Sequence, residues 1–179
     1  MTHVKYLAKV LLPLFLVLPI FVMLPVFLML NALPAAAQGT NVAFGTIQQD
    51  TGLPVEVTSD NLAVDQATGT AVFTGNVLIG QGEMRLSAPR VLVVYDQTKS
   101  AIASLEATGG VTLVSGPDAA EAERADYSIS EGTIVMTGNV LLDQGLNVLS
   151  ADKMTVQLET GTAQMAGRVR TIIQTGGDN

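Results

Sequence analysis

The chain has 179 residues, of which 48% are hydrophobic and 4% are aromatic, and it carries a net charge of −7. The acidic excess argues against a nucleic-acid binder, because such proteins need a basic face for the phosphates. Since the chain has no cysteine, disulfide frameworks and thiolate metal sites are excluded. The length suits one domain, whose core must come mainly from Val, Leu, Ile, Met and Ala.

The first 37 residues have the organisation of a secretory signal peptide. A basic start, MTHVKYLAK, precedes an uncharged apolar run from Val10 to Leu30, and the segment closes on LPAAAQ. Ala35 and Ala37 fit the small-residue cleavage pattern, so we expect cleavage near Ala37/Gln38. The apolar run of residues 10–30 is also long enough to span a bilayer as a retained anchor, and the sequence leaves that alternative open.

Strand patterns dominate the rest of the chain. Residues 38–54 are polar and contain glycine, and we expect a flexible N-terminal segment there. From Val55 onward apolar and polar residues alternate in short runs separated by Gly, Asn, Asp and Thr, which predicts strands with one buried face. The helix-compatible stretch PDAAEAERADY suits an exposed strand or turn equally well. We therefore predict an all-β domain over residues 55–175.

A repeated unit explains how these strands are organised. TGNVLIGQG, from Thr74, returns almost unchanged as TGNVLLDQG, from Thr137. Each unit predicts a β-hairpin whose turn is DQATG, DQTKS, SEG or ETG, because Asp, Gly and Thr favour turn conformations. Longer copies begin at Ser59, Ala88, Ala125 and Ala151, with Gly-x-Val steps at Gly75, Gly109, Gly138 and Gly167 that predict bulges or corners. Stacked hairpins would bury one another's apolar faces.

The alternation also predicts which side chains point inward. An ordinary filled core would explain this set, and so would an apolar trough, for which few aromatics and adaptable Met side chains are suited. The predicted inward-facing residues are Leu62, Val64, Val77, Ile79, Met84, Leu86, Val91, Val93, Val111, Leu113, Val140, Leu142, Met154 and Val156.

The sequence offers little for catalysis. Its one histidine, His3, lies in the segment predicted to be removed, and without cysteine no Cys–His or Ser–His–Asp arrangement can form in the mature chain. Glu121, Glu123 and Asp126 are typical of a solvated face, and neither an EF-hand loop nor a phosphate-binding loop is found. We predict no catalytic residue, no metal site and no cofactor.

The stretch from Ser59 to Asp96 resembles the OstA-like domain of the LptA family of lipopolysaccharide transport proteins. The resemblance extends over roughly Val55 to Ile173, and it implies an open, twisted antiparallel β-jellyroll built from repeated hairpins. Pro89 stands where the family pattern has Asp. The matching residues are Ser59–Asp60, Gly75–Asn76–Val77, Gln81–Gly82 and Leu86–Ala88.

The resemblance implies a periplasmic protein that binds lipopolysaccharide. The acyl chains of lipid A would lie in the apolar trough, which makes the inward-facing residues named above candidate lipid-binding residues. Copies would associate end to end by β-augmentation and bridge an LptC-like inner-membrane protein to an LptD-like outer-membrane barrel. Two alternatives stay open: a membrane-anchored LptC-like relative with the same fold, and a structural β-repeat protein with a filled core and no ligand.

Overall fold

A computed structural model describes residues 40–45, 52–98 and 100–173, which all belong to one compact unit, Gln38–Asn179. The predicted signal peptide and its cleavage site lie outside the described residues. Within the described ranges, no helix is long and apolar enough to cross a membrane. The strands are β1 (Thr40–Ala43), β2 (Glu56–Thr58), β3 (Asn61–Asp65), β4 (Thr70–Gln81), β5 (Met84–Tyr95), β6 (Ile102–Ser115), β7 (Asp118–Ser128), β8 (Thr133–Gln144), β9 (Asn147–Gln157), β10 (Thr162–Ala166) and β11 (Arg170–Ile173).

These strands form one antiparallel sheet in the order β1-β10-β9-β8-β7-β6-β5-β4-β2, with β3 also paired to β4 and β11 also paired to β9. Consecutive strands from β4 to β10 are neighbours, as hairpin connections require. The predicted turns DQATG, SEG and ETG lie between β3 and β4, β7 and β8, and β9 and β10. The prediction of an open antiparallel sheet built from hairpins is confirmed.

The long strands bend near their middles. The register shifts between Thr74 and Val77 where β4 pairs with β5, and between Thr137 and Val140 where β8 pairs with β9. With a third shift between Thr108 and Val111, where β6 pairs with β7, these shifts confirm the bulges predicted at Gly75, Gly138 and Gly109. At Gly167 the chain instead leaves β10 and begins β11. Bulges bend a strand and increase its twist.

The line of bulges divides the sheet into two arms. Arm A contains residues 61–65, 70–74, 90–95, 102–108, 124–128, 133–137, 153–157 and 162–166. Arm B contains residues 56–58, 77–81, 84–88, 111–115, 118–122, 140–144, 147–151 and 170–173.

An acidic residue from the neighbouring strand caps the corner at Gly75. The backbone there has positive φ, 77° at Gly75 and 44° at Asn76, and a Cβ on Gly75 would lie 2.5 Å from Asp60 Oδ2. The Asn76 side chain donates a hydrogen bond of 2.9 Å to the same carboxylate. Glycine is therefore required by both the left-handed backbone and the close approach of Asp60.

The same cap recurs at Gly138, where Asn139 Nδ2 donates to Glu123 Oε1 at 2.6 Å. This corrects the predicted start of the third repeat: the residue equivalent to Asp60 is Glu123, three positions before the Asp126 that follows Ala125. The letters ADY imitate the ADK of the fourth copy, so the sequence alone places the start at Ala125. At the Gly109 corner in β6, Pro89 of β5 packs against the glycine in place of an acidic cap.

Both arms bury the face that carries the predicted inward-facing residues. Since the described strands belong to a single sheet, that face is buried only because the two arms cover each other. A hydrogen bond from the Tyr127 hydroxyl in arm A to Gln81 Oε1 in arm B joins them across the interior. Twelve of the fourteen predicted residues are at most 2% exposed: Val77, Ile79, Met84, Leu86, Val91, Val93, Val111, Leu113, Val140, Leu142, Met154 and Val156.

The other two predicted residues, Leu62 and Val64, are not buried; they are 55% and 62% exposed. Their predicted face is nevertheless right, because Leu62 pairs with Phe73 and Val64 pairs with the buried Ala71. The burial was wrong because β3 lies at the end of arm A, where the covering arm B contributes only the three residues of β2.

A further correction concerns residues 38–54, where we expected a flexible segment. Four of these residues form β1, which pairs with β10 from Thr40↔Met165 to Ala43↔Thr162. The following Phe44 is 2% exposed and belongs to the core. The strand escaped prediction because its inward positions, Val42 and Phe44, are too few to establish an alternation.

Candidate functional site

The candidate site is the inner face shared by the two arms. Its side chains are mostly Val, Leu, Ile, Ala and Met, and its methionines, Met84, Met136, Met154 and Met165, have no measurable exposure. Unbranched, polarisable Met side chains adapt to apolar partners of different shape. The chemistry of this face suits acyl chains.

Protein side chains fill the interior along most of its length. The buried residues of both arms form one apolar cluster that extends from Val77 in β4 to Met165 in β10. Protein interiors are packed at about the density of organic crystals. An acyl chain would therefore have to separate the arms or displace a segment that lies between them.

The interior is uncovered at the β3 end. Leu62 and Val64 are exposed there, and Phe73 and Tyr95 are partly buried against the core. A shallow cavity of about 150 Å³ adjoins them, lined by Val64, Asp65, Gln66, Gly69, Thr70 and Tyr95. These apolar inner-face side chains meet solvent, as does Ile173 of β11, which pairs with Asn147 and is 67% exposed.

Polar side chains mark one border of arm B, which we call the polar rim: Gln81, Ser115, Asp118 and Gln144. The first three are 2%, 3% and 8% exposed. Gln81 Nε2 donates to the Leu53 carbonyl at 2.9 Å, and Gln144 Nε2 donates to the Ala43 carbonyl at 2.6 Å. Asp118 Oδ2 accepts from Gln144 Nε2 at 2.9 Å and from the Gly45 N–H at 2.8 Å. The rim thus places donors and acceptors directly beside an apolar face.

Burial raises the pKa of the Tyr127 phenol, and the hydrogen bond to Gln81 partly offsets that effect. Tyr127 is 1% exposed, so its hydroxyl needs the partner that Gln81 supplies. This hydrogen bond therefore joins the two arms, and it gives the buried Tyr127 hydroxyl a partner inside the apolar cluster.

Two groups of ion-paired side chains lie on the outer face. Arg124 binds Glu106 at 2.8 Å and Asp126 at 2.6 Å, and these two carboxylates raise the pKa of its guanidinium. At the fourth corner, the Arg168 guanidinium lies 2.6 Å from Asp152 and lowers the pKa of that carboxyl. In the described ranges, no group of three or more His, Cys, Asp or Glu is placed to hold a metal ion.

Sequence reasoning missed the polar rim. The sequence shows Gln81–Gly82 and Gln144–Gly145 in the two near-identical copies. The hydrogen-bond partners of these glutamines are Leu53 and Ala43, which lie in the segment that we expected to be flexible. The repetition of Gln81 as Gln144 in equivalent positions is the signal that could have identified a shared function.

The comparisons with known proteins agree with this architecture. Residues 56–162 match a family model described as LptA/(LptD N-terminal domain) LPS transport protein. An uncharacterized protein of Rhizobium meliloti (strain 1021) is 30% identical over 114 residues, which cover 60% of this chain and 61% of that relative.

A solved structure also shares the fold. It is the crystal structure of LptH from Pseudomonas aeruginosa, the LptA homologous periplasmic component of the conserved lipopolysaccharide transport device. The similarity has a TM-score of 0.63 at 18% identity and covers 71% of this chain and 99% of the other. Because the family model matches more than half of the sequence, the chain belongs to the LptA/LptD N-terminal domain family of lipopolysaccharide transport proteins.

Proposed function

We propose that this protein is a periplasmic lipopolysaccharide carrier that shields the acyl chains of lipid A between arms A and B. The observation that carries the proposal is the continuous apolar inner face, which is uncovered at the β3 end, where Leu62 and Val64 are exposed. Family membership supplies the lipid class. The predicted signal peptide supplies the route of export, with cleavage near Ala37/Gln38.

The ends of the sheet support a bridging role. In the described part of the chain, β2 and β3 pair with β4 and with no further strand, and at the other end β11 pairs with β9 alone. Open edges accept strands from another chain by β-augmentation. Copies would join through these edges, with an LptC-like inner-membrane protein at one end of the series and an LptD-like outer-membrane barrel at the other.

Removal of the residues after Gly167 tests the bridging role, because it deletes β11 and leaves the long strands intact. We expect the truncated protein to keep its far-ultraviolet circular dichroism and to lose concentration-dependent assembly in sedimentation velocity. Unchanged assembly would exclude β11 as a docking edge.

A second candidate function has an observation in its favour. The twelve buried candidate residues are at most 2% exposed, as in the filled core of a structural β-repeat protein. That protein would need no ligand. It would differ from a carrier in its response to lipid, which the following experiment measures.

The test is native mass spectrometry of the protein produced from its full-length sequence, mixed with purified lipopolysaccharide or with phosphatidylethanolamine. We expect a one-to-one complex with lipopolysaccharide and no stable complex with the phospholipid. No complex with either lipid would favour the filled-core structural protein.

A pair of variants locates the binding. Ile79 is buried on the inner face and its neighbour Leu78 is 42% exposed on the outer face. Ile79→Asp should abolish the lipopolysaccharide complex, because a carboxylate is poorly tolerated in apolar surroundings, whereas Leu78→Asp should keep it. If Ile79→Asp fails to fold, Leu62→Asp provides the same test, because Leu62 lies on the same inner face but is exposed and should tolerate the substitution. Retained binding in folded forms of both inner-face variants would contradict the proposal.

A further inference from the structure

The polar rim is occupied by the protein's own N-terminal chain. Gln81 and Gln144 stand at equivalent positions of the two TGNV copies, and each side-chain amide donates to a backbone carbonyl, that of Leu53 or that of Ala43. Two repeats that make the same kind of bond suggest that the rim is built to hold a carbonyl group.

The contacts around Phe44 are more specific. Its ring is 2% exposed within the core, while the carbonyl of Ala43 accepts from Gln144 and the N–H of Gly45 donates to Asp118. An apolar group therefore points inward, with one acceptor and one donor beside it at the rim. The fit is close, because a Cβ at Gly45 would lie 2.5 Å from Ser115 Oγ.

This arrangement matches the chemistry of an acyl chain with a carbonyl at its neck. The apolar tail of such a chain would take the place of the Phe44 ring, and its carbonyl would accept from the Gln144 amide as the Ala43 carbonyl does. The Asp118 carboxylate would keep the Gln144 amide as a donor after Gly45 leaves.

We infer that Phe44 and the Ala43 carbonyl occupy the site of one acyl chain and the carbonyl at its neck, and that the lipid displaces β1 from the polar rim when it binds. This inference rests on the proposed lipid-binding function. It assigns Gln144 as the residue that binds the carbonyl of the acyl chain. It also makes β1 an internal competitor of the ligand.

The attachment of β1 suits a displaceable segment. The strand has four residues, pairs along one side with β10, and exposes Thr40, Asn41 and Ala43. Short edge strands with few buried contacts are the elements that open at low free energy. By contrast β8 and β9, which have 12 and 11 residues, are paired on both sides.

A disulfide that locks β1 in place tests the inference. Ala43 and Thr162 are directly paired and exposed, and paired residues of antiparallel strands have Cα atoms about 4.5–5.5 Å apart, within the range for a disulfide. The native chain has no cysteine, so Ala43→Cys with Thr162→Cys introduces the only thiols. Thr133→Cys with Gln157→Cys, a directly paired position between β8 and β9, is the matched control.

Lipopolysaccharide affinity should fall about tenfold or more when the β1–β10 disulfide forms, and reduction should restore it; a tenfold change corresponds to 1.4 kcal/mol. The control disulfide should have no effect. Equal affinity of the oxidised and reduced forms of the β1–β10 variant would overturn the inference and leave the carrier function intact. Failure of the unmodified protein to bind lipopolysaccharide would instead refute the carrier function.

Discussion

The two ends of the folded sheet carry the same alternating pattern and reach different outcomes. At one end, the inner-face residues Leu62 and Val64 of β3 are 55% and 62% exposed. At the other end, Ala163 and Met165 of β10 are 1% and 0% exposed, since β1 pairs with β10 and Phe44 is buried in the same cluster. The alternation of apolar and polar residues in a strand therefore determines the face on which each side chain lies. The burial of that side chain depends on a segment that is distant in sequence.

This difference gives arm A a covered end and an uncovered end. Exposed apolar side chains on a common face are typical of interaction sites. The uncovered β3 end is thus suited to continue the apolar path into a neighbouring molecule, while the β10 end is closed by the N-terminal segment of the same chain. The predictions that follow compare these ends and the contacts that join the arms.

The largest difference between the ends should come from a buried charge. Met165→Asp places a carboxylate among fully buried side chains and should prevent folding or cost about 4 kcal/mol or more of unfolding free energy. Leu62→Asp, at a position that is 55% exposed, should change that free energy by about 0.5 kcal/mol. Urea denaturation followed by circular dichroism measures both, and similar losses would contradict the assignment of the two ends.

Truncation of the residue that covers the β10 end should have the next largest effect. Phe44→Ala removes a buried ring and should lower the free energy of unfolding by about 3 kcal/mol. Leu62→Ala is its matched control at the uncovered end, with an expected loss of about 0.5 kcal/mol. A neutral Phe44→Ala variant in the same urea titration would mean that β1 contributes little to the stability of that end.

The hydrogen bond between the arms should contribute less. Tyr127→Phe removes the hydroxyl that binds Gln81 and should cost about 1 kcal/mol near neutral pH. Because the folded state raises the pKa of Tyr127, this residue stabilises the fold fully below pH 10, its ordinary pKa, and loses that contribution as the pH rises through the raised value. The difference in stability between the native protein and Tyr127→Phe should therefore shrink in alkali, and a constant difference up to pH 11.5 would refute the shift.

The smallest effect should come from the exposed corner at Gly167. Arg168 lowers the pKa of Asp152, so the pair stabilises the fold above pH 3.8, the ordinary pKa of Asp, and its contribution disappears as the pH falls through the lowered value. Asp152→Asn and Arg168→Gln should each remove the same small, salt-sensitive increment. Thermal unfolding at pH 7 and pH 3 measures it, and unequal effects of the two variants would indicate that the ion pair is not the cause.

The repeats explain why so much of the fold was predictable. A period of two, turn residues at fixed places and glycines at the corners identify strands, hairpins and bulges from local sequence alone. The inward face of all fourteen candidate residues follows from the same periodicity, including Leu62 and Val64, which share their face with Phe73 and Ala71.

Features that depend on distant contacts were not predictable. Neither β1 nor the roles of Gln81 and Gln144 can be inferred locally, because each is defined by a partner from another part of the chain. The start of the third repeat was misplaced for a similar reason: Glu123 is recognised as a corner cap only from its contacts with Gly138 and Asn139.

The central claim, that lipid lies between the arms, is tested most directly by site-specific photocrosslinking to lipopolysaccharide. Phe73 and Val72 are adjacent in β4, and Phe73 packs against the inner cluster whereas Val72 points to the outer face. With benzoylphenylalanine at one position or the other, we expect a lipopolysaccharide adduct from position 73 and none from position 72. Equal labelling from both positions, or labelling from position 72 alone, would contradict the account.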